Sequence, residues 1–314
     1  MARVFFQTTE NALNSITEQF KLVHPLRTSM LYTRKVAQEI ASDNPSVDNE
    51  YFKNLMDPEN KVHGTDFRTA FLCTAWDIQE EQLAWLLLNN LFAIHEGWAE
   101  TLFLERFDGK GYKKDTFVES LKKTELSAKF TSYYVTSSKR SKMLTDAFFN
   151  VYKDASNLTF SKLDNYMLMY RFFKVARNCF MHANCIASQH LLDAYTAYST
   201  VATATDLDVN EVPTITPPVV GQKIHLNIRG VIGFSDFIQR ILIISDINLL
   251  QTIAAEGEFI SRKPSRPTLT LSSNPNRAKH QIGQLCMNAG FLRPVWSVDL
   301  QNHMVTHGFI RKAF

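Results

Sequence analysis

Apolar residues recur at helical spacing through most of the first two thirds of the chain. Between Asn11 and Ala41 the residues Leu13, Ile16, Phe20 and Val23, then Leu31, Val36 and Ile40, keep such a period, interrupted near His24-Pro25, which predicts two helices. Asp43 to Asp66, with Asn44-Pro45, Asp57-Pro58 and Gly64, reads as a linker. The strongest helical patterns follow: about Glu80 to Phe107, closed by Asp108-Gly109, then Lys114 to Phe130, then Lys142 to Tyr152. Ser161 to Ala202 contains neither Gly nor Pro and predicts the longest helix, with Asp164-Asn165 as its weakest point.

The pattern changes beyond this run. Thr203 to Pro218 is polar, and Lys223 to Ile228 alternates apolar with polar residues, the period of a short strand or extended loop. Phe234 to Ala255 returns to helix, with Ser235 and Asp236 as capping residues and Gly257 beyond its end. Arg262 to Pro275 reads as loop, Arg277 to Ala289 as a short helix halted by Gly290, and the remainder as irregular or extended. One alternating segment is too little for a sheet, so the class is all-α.

Composition narrows the possibilities. At 314 residues with 45% hydrophobic and 21% charged residues, the chain can bury a substantial core, which excludes a disordered or collagen-like protein. The four cysteines, at 73, 179, 185 and 286, have neither the density of a secreted disulfide scaffold nor paired metal-ligand spacing, and a reducing cytoplasm fits them best. Met1 to Phe20 mixes Arg3, Gln7, Glu10 and Asn14 among its apolar residues and so lacks the apolar stretch of a signal peptide. Leu83 to Ile94 and Val231 to Leu250 are both interrupted by polar groups, and no transmembrane helix or membrane partner is expected.

The net charge of +3 is unevenly spread: residues 257 to 314 hold eight Lys or Arg against Glu258 and Asp299. A basic segment of this kind fits a polyanion such as RNA, or a solvated tail. The organisation expected is a helical N-terminal extension (1–66), a helical domain (67–256) and a small basic C-terminal appendage (257–314).

The chemistry concentrates in Arg171-Phe-Phe-Lys174-Val-Ala-Arg177-Asn178-Cys-Phe-Met-His182-Ala-Asn184. At about 100° per residue Lys174, Asn178 and His182 form one polar stripe, with Arg177 about 140° around from His182. The intervening Phe172, Phe173, Val175, Cys179 and Phe180 make the helix otherwise apolar, so these polar groups need partners. They suit RNA phosphodiester chemistry without metal or cofactor: an imidazole can move the 2′-hydroxyl or leaving-group proton, a guanidinium can hold the phosphate, and an amide can orient either. From spacing alone they fit better an internal Arg and His hydrogen-bonded to neighbouring groups.

Arg177-Asn178-Cys-Phe-Met-His182, an Arg-x-x-x-x-His pattern with a polar residue after the Arg, resembles the motif of the HEPN superfamily (higher eukaryotes and prokaryotes nucleotide-binding domains). The earlier Gln82 to Phe107 helix, with Glu96 near its middle, is similar to the early helix of that family, and the resemblance covers roughly residues 67 to 256. It implies an antiparallel helix bundle and a metal-independent endoribonuclease whose cleft is completed by a second copy, hence a homodimer. Arg177 would bind the phosphate, His182 would be the acid–base group and Asn178 would position them, with Lys174 and Glu96 in support. It further implies a toxin or an anti-phage, abortive-infection role with an antitoxin or defence partner. The alternatives are a non-catalytic HEPN-like bundle binding RNA, a nucleotide or a protein, and a plain helical scaffold.

Other groupings are weaker. His95-Glu96 lacks the second His of a zinc-binding helix; Cys179 and Cys185, six apart, would diverge by about 120° on a continuous helix; and His303 with His307 is expected on the tail surface.

Overall fold

The computed structural model describes residues 4–59, 61–106, 139–263 and 269–311. The protein is mainly α-helical. Among the described residues, strand is confined to Leu269–Thr270, paired in parallel with Ile310–Arg311, and to two isolated bridges, Arg140 with Thr252 and Ile186 with Lys223. The helix expected over Lys114 to Phe130 lies outside the described residues.

Helix α1 (Gln7–Asp43) is a single element that runs through Pro25, where two helices were expected. Pro25 lies on an exposed stretch of the helix, with Lys21 and Leu22 also exposed. Water can there replace the missing N–H partner, while Ile16 and Val23 stay anchored in the core. Helix α2 (Asn49–Met56) follows, capped by the Asp48 carboxylate, and with Ala37 and Val47 its Phe52 forms a small separate apolar cluster. Helix α3 (Trp76–Arg106) is the long helix that the sequence predicts. The segment expected as one helix from Lys142 contains a π-helical turn, Thr145–Phe149, before α4 (Asn150–Ser156).

The longest predicted helix is divided. After a 3₁₀ turn at Phe160–Lys162, α5 (Leu163–His182) ends at the motif histidine, and α6 (Gln189–Ser199) starts afresh. Asn184 and Cys185 are both left-handed (φ 50° and 64°), and the Ala183 and Cys185 N–H groups both donate to the Cys179 carbonyl. Ser188 then accepts the Leu191 N–H as an N-cap.

A short helix α7 (Ala204–Leu207) leads to α8 (Ile228–Leu249), which begins six residues earlier than the apolar pattern suggests because Asn227 caps it. Ser235 and Asp236 are therefore interior residues. Gly257 is not a stop either, since it sits inside α9 (Ala254–Ser261). The Lys223 to Ile228 segment supplies a single bridge residue before the α8 cap.

Helix α8 is the centre of the molecule, with Phe234, Phe237, Ile238, Ile241, Leu242, Ile244 and Ile247 buried. Phe234 stacks on Phe173 of α5 at 4.3 Å between ring centroids. Helix α3 runs antiparallel to α5: Trp85 stacks on Phe180, Lys174 lies over Phe92, and His95 meets Tyr170.

The C-terminal segment is not an appendage. Helix α10 (Pro275–Asn288) and helix α11 (Val298–Thr306), the latter where irregular chain was expected, send Ile282, Cys286, Leu300 and Met304 into the same core as Phe5 and Phe148. A segment rich in Pro and basic residues hides this packing because its apolar positions are sparse and spread over two short helices.

Candidate functional site

The candidate residues lie on the last two turns of α5 and on the facing part of α3. Lys174 is largely buried, its ammonium over the Phe92 ring at 5.3 Å to the centroid and ion-paired with Glu96. Burial, and then the neighbouring Arg177 charge, lower the Lys174 ammonium to about 8. Two cations therefore share a half-buried region in which Glu96 is the partner of one of them. Arg177 Nη1 reaches the Asn178 amide oxygen at 3.5 Å, and its buried Nε has no hydrogen-bond partner among the described residues. A buried guanidinium N–H left unpaired costs free energy until an acceptor arrives.

His182 ends α5 and is exposed, as is Met181 beside it. The structure thus brings together Lys174, Glu96, Arg177 and Asn178 and leaves His182 at the surface one turn further on, beyond the Trp85–Phe180 stack (4.6 Å). A left-handed turn at Asn184-Cys185 follows two residues after the imidazole.

Three further residues border this end of α5. The Ile224 N–H donates to the Cys185 carbonyl at 2.8 Å, which brings Lys223 and His225 alongside the turn. His225 Nδ1 lies 3.2 Å from the Glu81 carboxylate, and Glu81 also accepts from the Trp85 indole at 3.4 Å. Sequence reading missed this group because Glu81 and His225 are 144 residues apart; the only local signal was the alternation of exposed Lys223 and His225 with buried Ile224 and Leu226.

The other groupings are now placed. His95 is fully buried, hydrogen-bonded to the Tyr170 hydroxyl at 3.2 Å, and lowered to about 3 by burial and the Lys174 charge, so it stays neutral. Cys179 is buried with its thiol 3.6 Å from the Ser188 hydroxyl. His303 and His307 pair at 4.4 Å between ring centroids, and His303 is half-buried against Phe259 rather than on a tail surface. Among the described residues no group of three or more His, Cys, Asp or Glu is arranged to hold a metal, and no helix is long and apolar enough to cross a membrane. Two surface cavities, of about 390 and 280 Å³, are lined by Thr205, Asp208, Asn210 and Arg240 and by Glu211, Pro213, Arg229 and Gly233, and not by the motif.

No family model, no curated protein and no solved structure matches the chain.

Proposed function

We propose that the protein is a HEPN-type endoribonuclease that cleaves RNA without a metal, at a site built around Arg177, Asn178 and His182. The observation that carries this reading is the Arg177 guanidinium, half-buried beside a second cation, with no partner at Nε among the described residues and an amide oxygen at Nη1. Such a group is poised for an anion with several acceptor oxygens, and a phosphodiester supplies one. The exposed imidazole one turn on is the residue type that moves protons near neutral pH.

In the reaction, an imidazole takes the proton of the 2′-hydroxyl, the 2′-oxygen attacks phosphorus, and the bond to the 5′-oxygen breaks as that oxygen gains a proton. The products are a 2′,3′-cyclic phosphate and a 5′-hydroxyl. Arg177 holds the phosphate oxygens as charge builds, Asn178 orients the guanidinium, and the Lys174–Glu96 pair sets the charge around them. One motif imidazole per chain serves one proton transfer well, so a homodimer facing its two motifs together would supply both. A cytoplasmic toxin or abortive-infection role, held in check by an antitoxin or defence partner, fits an RNA-cleaving activity of this kind.

A second reading is a non-catalytic bundle that binds RNA, a nucleotide or a protein partner. It draws on the two cavities lined by Arg240 and by Arg229, each a concave surface that carries a cation. The test is cleavage of a mixed RNA pool in EDTA by wild type, His182→Ala and Arg177→Ala, each checked for native circular dichroism. The ribonuclease reading expects cyclic-phosphate ends from wild type and loss of cleavage in both variants. Absence of wild-type cleavage, or equal cleavage by all three, moves the assignment to the binding reading.

A further inference from the structure

No Asp or Glu occurs between Phe259 and Val298, so none of the basic residues in that stretch can be neutralised from within it. Helix α10 turns Ala278, Ile282 and Cys286 into the core and leaves Arg277, Lys279, His280 and Gln284 on its solvent side. None of Arg277, Lys279 and Arg293 forms an ion pair with a carboxylate among the described residues, although all three are exposed.

Arg293 is also held in place. Its aliphatic stem lies over Gly283, where an added Cβ would come within 3.0 Å of Nε and 3.2 Å of Cγ. From this slot Nη2 reaches His280 Nδ1 at 3.1 Å. Guanidinium has no acceptor, so it donates, and the bond requires an imidazole whose Nδ1 is free of its proton. On the flank of the helix, Lys279 rests its ammonium over the Trp296 ring at 4.8 Å to the centroid. Two long side chains that would otherwise sweep through solvent are thus fixed against the helix, with less rotamer freedom to lose on binding.

We propose that the exposed side of α10, with Lys279 and Arg293 held on one flank and Arg277 at its opposite edge, is the surface on which RNA docks through its phosphates. The proposal rests on the RNA-cleaving reading of the α5 site, and adds a second contact region on different elements. Three cations with no carboxylate partner among the described residues, two of them held in place, complement a polyphosphate backbone and repel a basic partner. The contact is through charge, so it holds strands of any sequence and leaves selection of the cleaved bond to the α5 site.

The experiment uses a fluorescent, fully 2′-O-methylated oligonucleotide, which has no 2′-hydroxyl to react, so binding is read without cleavage. Anisotropy titrations of the full chain at several salt concentrations compare wild type with the triple variant Arg277→Gln/Lys279→Gln/Arg293→Gln. A second triple variant, Lys21→Gln/Lys35→Gln/Lys153→Gln, removes the same charge from exposed positions elsewhere. The α10 variant is expected to bind at least 10-fold more weakly and to flatten the slope of log affinity against log salt by about 2, since each single-strand phosphate contact contributes about 0.7. The control variant is expected to change affinity less than 2-fold. Equal weakening by both variants, or none by the α10 variant, overturns the proposal. So does binding of wild type to phosphatidylserine vesicles that is lost in the α10 variant while RNA binding persists, which would assign the face to a membrane surface. Loss of binding in the α10 variant alongside no cleavage of ordinary RNA by wild type would keep the docking surface and remove the ribonuclease reading.

Discussion

Phe5 donates its backbone N–H to Asp246 Oδ2 at 2.6 Å across 241 residues of sequence. Phe6 donates to the other carboxylate oxygen at 3.0 Å, and Gln7 to Glu258 at 2.9 Å, so two buried carboxylates satisfy the N–H groups just before and at the first residue of α1. Arg262 closes the arrangement, donating to the Phe5 carbonyl and to Glu258. The chain start is thereby tied to α8 and α9 while Phe5 packs among Phe148, Tyr152 and Phe291.

Asp246 makes this clamp sensitive to pH. Burial pushes its carboxyl up to about 7, against the opposing hydrogen bonds from Phe5, Thr9 and Phe6. Between the ordinary value near 4 and 7 the folded protein holds a proton that the unfolded chain releases, so stability falls as pH rises through that window, by at most roughly 4 kcal/mol. Asp246→Asn removes the titration. Urea unfolding midpoints at pH 5 and 7.5 are expected to drop for wild type and to stay nearly level for the variant. Parallel profiles would assign the pH dependence to other groups.

Gly230 and Gly233 let the Pro213–Thr214 strap lie directly on α8. A Cβ at Gly230 would run into the Thr214 carbonyl oxygen, and one at Gly233 would stand 2.6 Å from Pro213 Cγ. Alanine at either position is expected to destabilise by about 1–3 kcal/mol despite its better helix propensity. Gly257, exposed inside α9 with open space around it, is the counter-example: Gly257→Ala is expected to stabilise by up to about 1 kcal/mol. Denaturant melts of the three variants check the opposite signs.

These cases also mark where the sequence was legible. Helix α3 could be read from its local period, and α10 from its period together with Gly290 just beyond its last turn. Pro25 and Gly257 misled because a helix breaker on a solvent-facing turn costs too little to end a helix that tertiary packing supports. The end of α5 carries no Gly or Pro; Asn184 and Cys185 adopt the left-handed turn instead, and only Ser188 had the character of a cap. The motif residues were visible as a stripe, but pairing of Lys174 with Glu96 across 78 residues, and of His225 with Glu81, depends on how α3 lies against its neighbours, which no local pattern encodes.

Lys174 offers a functional test through its titration. Its ammonium, lowered to about 8, is charged below that pH and neutral above it. With RNA bound beside Arg177, KM is expected to rise by about 5-fold as pH passes from 7 to 9, equivalent to about 1 kcal/mol of lost attraction. Lys174→Arg keeps the charge throughout and is expected to hold KM level over the same range. A rise of equal size in the variant would place the titrating group elsewhere.

Cys185 tests whether the turn after His182 is strained. Its φ of 64° follows the 50° of Asn184, and for a residue with a Cβ the left-handed region costs about 1–2 kcal/mol. Glycine removes that cost but enlarges the freedom of the unfolded chain by roughly 0.5–1 kcal/mol. Cys185→Gly is therefore expected to raise the thermal midpoint by about 2 °C. The backbone bonds that close the turn, from Cys185 N–H to Cys179 and from Ile224 N–H to Cys185, survive the substitution, so RNA cleavage is expected to be unchanged. A lower midpoint would mean that packing of the half-buried thiol outweighs the relief of strain, and lost cleavage with an unchanged midpoint would make the thiol itself part of the site.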